Sequence, residues 1–309
     1  MKKILMFVVA VCAVAVFGAT RTEVLRQKLA SADRNYIFVA MHRGDWRNFP
    51  ENSKGAILSA ISIGADIVEL DVQRTKDGRF ILNHDGSVDR TTNGKGRVCD
   101  LTLEEIKKLR LRGRNGQPSE YEVLTLEEAL ALTKGKILVN IDKFTQHPRE
   151  ILDAVSAVGA LKEVLVKASF SAGRAKEQFG PYWAKVESGE LLYMPVVNLG
   201  RDNYYKPVDK STLPGYFALE PRKSSMYELC FHNPDDVPGA LERIPSNARI
   251  WANTLWDSIS AKHSDKAALR DPDGNWGWWI DRGATMIQSD YAAELICYLV
   301  RKGKRSLSK

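Results

Sequence analysis

The sequence predicts a (β/α)8 TIM-type barrel with a small hairpin insertion after strand 2. Three observations lead there. The 309 residues, less an N-terminal leader, suit one large domain better than two ordinary ones. Eight short β-branched runs recur along the chain, and amphipathic stretches of helical period separate most of them. The competing open, doubly wound sheet wants a glycine-rich nucleotide loop after its first strand, and His42-Arg43-Gly44 is too short and too polar for one.

Taken in order, residues 1–19 read as a secretory signal: Lys2 and Lys3, an apolar run from Ile4 to Phe17, then Gly18 and Ala19. The run is short for a membrane span of roughly 20 residues. Val11 is too bulky for a lipid-attachment site at Cys12. The expectation is therefore an exported chain, periplasmic or extracellular, with no stable membrane insertion after cleavage. Residues 26–303 form the barrel domain, and 304–309 a frayed basic tail. Past the signal the cysteines are Cys99, Cys230 and Cys297, too few and too odd in number for a disulfide scaffold. The net charge of +7 favours anionic ligands, while the absence of a basic, aromatic-studded face or reader motif argues against nucleic acid.

The barrel strands are expected at Tyr36–Met41, Ile67–Val72, Lys136–Asp142, Glu163–Ala168, Leu192–Val197, Tyr216–Glu220, Arg249–Asn253 and Thr285–Gln288. Helical patterns include Ser53–Ile63, Leu103–Leu109, Leu126–Leu132, Glu150–Val158 and the closing Leu295–Leu299. Turn-rich stretches from Asn198 to Met226 and from Pro234 to Gly277 predict long loops over one mouth. An extra strand, Arg79–Asn83, follows the Asp77-Gly78 turn and must run antiparallel. With those two residues at the centre of the turn, Asp71 faces His84 across the hairpin.

Active sites of such barrels lie at the C-terminal ends of the strands, and charge collects there. Glu69 and Asp71, two apart on one strand, share a face. With Asp142 from the next barrel strand they predict an all-oxygen site for Mg²⁺ or Ca²⁺. Pairing of the two carboxylates with Arg74, Lys143 or Lys167 is the structural alternative. His42 and His84 each close an extended segment beside a charged residue, which suits general acid–base work near neutral pH. Arg43 offers a planar fork for phosphate oxygens, with Lys143 and Lys167 as point charges and Glu51 as a partner for Arg43.

These residues closely resemble the glycerophosphodiester phosphodiesterase family. The resemblance runs through His42-Arg43-Gly44, Glu51-Asn52-Ser53, Gly64-Ala65-Asp66, Glu69-Leu70-Asp71-Val72, Thr75-Lys76-Asp77-Gly78, His84-Asp85 and Asp89-Arg90-Thr91-Thr92. It continues more thinly through Asn140-Ile141-Asp142-Lys143, Trp251-Ala252-Asn253 and Ile287-Gln288-Ser289-Asp290. It implies metal-dependent cleavage of a small glycerophosphodiester to sn-glycerol 3-phosphate and an alcohol, as in glycerophospholipid degradation. His42 and His84 would be the base and acid, Glu69 and Asp71 metal ligands, and Arg43 the phosphate grip. The family usually places Glu, one residue, then Lys after the third strand; here Lys143 follows Asp142 directly, so the lysine role falls to Lys143, Lys167 or both. The neighbouring enzyme class, phosphatidylinositol-specific phospholipase or sphingomyelinase D, would expose an apolar rim, for which Trp276, Trp278 and Trp279 are the candidates.

Overall fold

A strand covered by helices on one side and by a packed lumen on the other has no solvent face, so it carries apolar residues in both directions. The strands here read that way, as in Phe38–Met41 and Val164–Ala168. The structure, a computed structural model, describes residues 18–170, 172–199, 225–242 and 244–306. The expected signal lies almost wholly outside them, as does the strand expected at Tyr216–Glu220. Among the described residues no helix is long and apolar enough to cross a membrane.

Among the described residues there are nine strands: β1 (Phe38–Met41), β2 (Ile67–Arg74), β3 (Phe80–Leu82), β4 (Leu138–Asp142), β5 (Val164–Ala168), β6 (Leu192–Leu199), β7 (Met226–Phe231), β8 (Arg249–Asn253) and β9 (Ala284–Ser289). All but β3 pair in parallel, in the cyclic order β1-β2-β4-β5-β6-β7-β8-β9, and β9 returns to β1 to close an eight-stranded barrel. The helices that matter below are α1 (Arg21–Ala30), α2 (Lys54–Ile63), α3 (Leu103–Lys107), α4 (Leu126–Thr133), α5 (Pro148–Ala157), α6 (Ala172–Phe179), α7 (Trp183–Glu187), α8 (Val237–Leu241), α9 (Asp265–Ala268), α10 (Trp278–Asp281) and α11 (Ala292–Arg301).

Side chains alternate along each strand, and that splits the core in two. Val39, Val68, Leu70, Val139, Ile141 and Val166 face outward into the helices. Phe38, Ala40, Ile67, Leu138, Leu165, Met194, Met226, Trp251 and Met286 fill the lumen, and Leu25 and Leu29 of α1 join that cluster. Helix α1 is started by a Thr20/Glu23 capping box. A third cluster, including Ile81, Val98, Ile106 and Leu111, packs the excursion between β3 and α4. The lumen is thus apolar at one end. Two residues further along the strands it turns polar.

Three expectations need correcting. The sixth barrel strand is β7, which begins where the first turn-rich stretch ends: inward-facing Glu228 and Cys230 interrupt the apolar run that would have marked it. The hairpin register is shifted by one, since Val72 pairs with Leu82 and Arg74 with Phe80. Its loop has three residues, Lys76-Asp77-Gly78, closed by Thr75 and Arg79, with Gly78 at φ +77°. Such a loop ends on a left-handed residue, and it sets Asp71 opposite Asn83, whose N–H donates to the Asp71 carbonyl at 3.1 Å. His84 comes one residue later. Finally, Arg305 is not part of a frayed tail; it is buried, and its guanidinium reaches Asp66 and the carbonyls of Gly64 and Ile37.

Candidate active site

The polar end of the lumen is the C-terminal mouth, as the fold requires. Glu69 and Asp71 of β2 point inward and stand opposite Asn140 and Asp142 of β4 in the parallel register. The carboxylates of Glu69, Asp71 and Asp142 each place an oxygen within 4.8 Å of the others. Glu69 and Asp71 are almost fully buried. Burial, then the charges of Asp71 and Asp142, push the Glu69 carboxyl well above the usual range. Burial acts on Asp142 in the same direction, but Lys167 and Lys143 outweigh it and hold that carboxyl low.

The residues of the Glu51-Asn52-Ser53 motif build the wall of this group. Gly44 turns the chain after β1 at φ +68°, where a Cβ would sit 2.8 Å from the Ala56 backbone. Ser53 caps α2 by accepting from the Ala56 N–H. Asn52, at φ +59°, donates from its amide to Asp71 at 2.9 Å and accepts the Asp71 N–H at 3.1 Å. The Arg43 backbone N–H donates to Glu69 at 2.9 Å, and its Nε lies 3.4 Å from Asp71.

His42 and His84 both line one cavity of about 680 Å³ with these carboxylates, Lys143 and Lys167. His42 Nδ1 is 2.7 Å from Asp290, which also accepts from Trp46 Nε1 at 2.7 Å. His84 Nδ1 is 2.6 Å from Asp85, and Arg90 braces Asp85. Hydrogen bonds at Asp85, chiefly from Arg90, depress its carboxyl strongly. With each Nδ1 committed to a carboxylate, Nε2 is the nitrogen left to exchange a proton.

Glu51 does not line this cavity. Its two oxygens pair with Arg90 at 2.7 and 2.8 Å and with Arg43 at 3.3 Å, so it holds two guanidiniums in place and is not itself a phosphate contact. Lys143, at φ +61°, lies 3.5 Å from Asp142. Lys167 is deeper, 3.3 Å from Glu228 of β7. Burial lowers its pKa, but Glu228, Asp142 and Glu69 more than compensate, so it stays charged.

Sequence reasoning missed Asp290, Asp85 and Glu228 as working parts of this site. Asp85 and Asp290 both lie in motifs; Asp290 meets His42 only when the barrel closes, whereas Asp85 pairs locally with His84 and Arg90. The tryptophan rim is also corrected: Trp276 and Trp279 are buried, and Trp278 stacks on His263 at 3.9 Å. The exposed indole at the mouth is Trp256, 5.6 Å from the His42 ring.

Residues 42–179 match the family model described as the glycerophosphoryl diester phosphodiesterase family, and residues 193–299 match one described as a domain of unknown function. A glycerophosphodiester phosphodiesterase of Caldanaerobacter subterraneus is 46% identical over 132 residues, 42% of this chain and 51% of that protein. A putative glycerophosphodiester phosphodiesterase of Bacillus subtilis is 36% identical over 174 residues, 54% of this chain and 68% of that protein. The chain thus spans about half the length of the first relative. Among solved structures, a glycerophosphoryl diester phosphodiesterase from Parabacteroides distasonis superposes with a TM-score of 0.67 at 20% identity, covering 93% of this chain and 94% of that one. A phosphodiesterase of Oleispira antarctica, in complex with the product sn-glycerol-3-phosphate, gives 0.59 at 20% identity over 87% and 99%. These two establish likeness of fold.

Proposed function

Because the chain belongs to the glycerophosphodiester phosphodiesterase family, we propose that it hydrolyses glycerophosphodiesters to sn-glycerol 3-phosphate and an alcohol, with a divalent cation, Mg²⁺ or Ca²⁺, as cofactor. The observation that carries this reading is the convergence of Glu69, Asp71 and Asp142 at a barrel mouth lined by two carboxylate-oriented histidines. The donor set fits a hard cation: all three ligands are carboxylates, each with an oxygen within 4.8 Å of the others, and Asp71 Oδ1 is buried without a hydrogen-bond partner among the described residues. Glu69, Asp71 and Asp142 would hold the ion, which when bound would neutralise charge on the phosphoryl oxygens.

The chain's own residues account for the rest. Arg43 and Lys143 face the cavity and bring positive charge to the phosphate, while Lys167 balances the acidic floor and reaches the same space. His42 and His84 act through Nε2, one taking the proton of the attacking hydroxyl and the other giving one to the leaving alcohol. Asp290 and Asp85 keep the rings in the orientation and tautomer for that exchange. The sequence pattern of residues 1–19 supports export to the periplasm or beyond, where the enzyme would act on the soluble products of glycerophospholipid degradation. Burial of Trp276 and Trp279 speaks against attack on intact lipid.

The test is release of glycerol 3-phosphate from glycerophosphocholine, glycerophosphoethanolamine and glycerophosphoglycerol, with and without chelator. Release that stops on chelation and returns with Mg²⁺ or Ca²⁺ is expected. No release from any of the three diesters would sink the proposal.

A further inference from the structure

The match to the phosphodiesterase family model ends at residue 179, yet the cavity does not. Residues 193–299, which match a domain of unknown function, close the same barrel with β6 to β9. They place Glu228, Asn253 and Gln288 on its floor. Each of these is the next inward position after an apolar lumen residue: Met226, Trp251 and Met286 lie one step below on the same strands. The switch from apolar to polar is abrupt. It falls where the cavity begins.

The polar atoms there are incompletely used. Asn253 is 7% exposed and Gln288 1%. The Asn253 amide donates to Glu228 at 3.1 Å, which fixes its orientation, and its oxygen is left buried with no partner among the described residues. The Gln288 side-chain oxygen is in the same state. A buried acceptor without a donor costs stability, and here two lie on adjacent strands, β8 and β9, facing one cavity. Glu228 is charge-balanced by Lys167, so nothing beside these acceptors calls for a cationic ligand. Neutral O–H donors meet the need.

We infer that strands β7 to β9 form the substrate-recognition side of this barrel, and that Asn253 and Gln288 accept hydrogen bonds from the hydroxyls of a polyol esterified to the phosphate. The inference deepens the proposed function: in a glycerophosphodiester the polyol is the glyceryl group, although an inositol head group offers the same chemistry. The half that matches the family supplies both histidines, the metal-binding carboxylates and the cations, with Asp290 of the other half orienting His42. The other half reads the alcohol.

The experiment measures binding of glycerol 3-phosphate, myo-inositol 1-phosphate and ethyl phosphate to the full chain in Mg²⁺ by calorimetry. Ethyl phosphate carries the same charged group and no hydroxyl. At least one polyol phosphate should bind about tenfold or more tightly than ethyl phosphate, the scale of one or two hydrogen bonds, and which one does so identifies the source. Asn253→Leu and Gln288→Leu, checked for folding by circular dichroism, should each reduce that preference severalfold. Equal binding of all three ligands by the unaltered chain overturns the inference without any variant, and so does a preference that survives both substitutions. The proposed function is judged separately, by release of glycerol 3-phosphate, so the two fail independently.

Discussion

At both imidazoles one nitrogen is already spoken for: Nδ1 of His42 by Asp290 and Nδ1 of His84 by Asp85. Removing an imidazole removes a proton-transfer group, whereas removing the carboxylate behind it removes only the ring's orientation. His42→Ala and His84→Ala should therefore each lower kcat at least ~100-fold with the fold retained. Asp290→Ala should lower kcat about tenfold or more and leave KM nearly unchanged, read from steady-state kinetics; a rise in KM with kcat intact would mean that Asp290 serves binding. Residues whose chemistry is declared by position on their own strand were legible in the sequence. Glu69 and Asp71 share a face by simple alternation, and Asp142 ends the next barrel strand. Asp290 and Glu228 were not, because each acts on a residue 248 or 61 positions away in the chain. Glu51 was placed near the phosphate by its neighbourhood to Arg43, but Arg90, its second partner, came into view only with the excursion after β3.

Alternation and turn chemistry carried most of the elements, and they failed where one residue altered the count. In the hairpin a third loop residue moves every pairing by one, which is why Asn83 and not His84 meets Asp71. In β7 the two inward polar residues that serve the cavity are what disguised the strand. The segment after α11 was read as a basic tail because Arg301, Lys302, Lys304 and Arg305 follow one another closely. Asp66, with the carbonyls of Gly64 and Ile37, explains Arg305. That carboxylate is fully buried between β1 and β2, accepts the Val39 N–H at 2.9 Å and the Tyr36 hydroxyl at 2.8 Å, and pairs with Arg305. Arg305→Ala removes one of the two guanidiniums paired with Asp66, leaving Arg21 at 3.3 Å, and should cost about 2–3 kcal/mol in urea unfolding. A loss within about 0.5 kcal/mol, the scale of an ordinary surface change, would show that the segment does not help close the N-terminal end of the barrel.

On the scale of the whole molecule, the mouth is tied together by Asp265, the first residue of α9. One carboxylate accepts from Thr254 at 2.6 Å, Trp276 at 2.8 Å, Ser289 at 2.9 Å and the Asp290 N–H at 2.8 Å. It thereby joins the loop after β8, the tryptophan segment and the end of β9. Burial raises its pKa to about 6, despite those four donors. A carboxyl whose pKa is higher folded than unfolded binds a proton more readily in the native state. Its contribution is fully present below about pH 4 and is lost as the pH rises through 6, a span of about two units or about 3 kcal/mol. Asp85 works the other way: its depressed carboxyl stabilises the fold above about pH 4, and that contribution fades as acid protonates it. Between pH 7.5 and 4.5 the Asp265 effect should therefore stand clear of the other. In urea titrations across that window, the stability of the unaltered chain relative to Asp265→Asn should grow in its favour as the pH falls, by about 2 kcal/mol. A difference that stays constant with pH would mean that Asp265 titrates alike folded and unfolded, and that its four hydrogen bonds fully offset its burial.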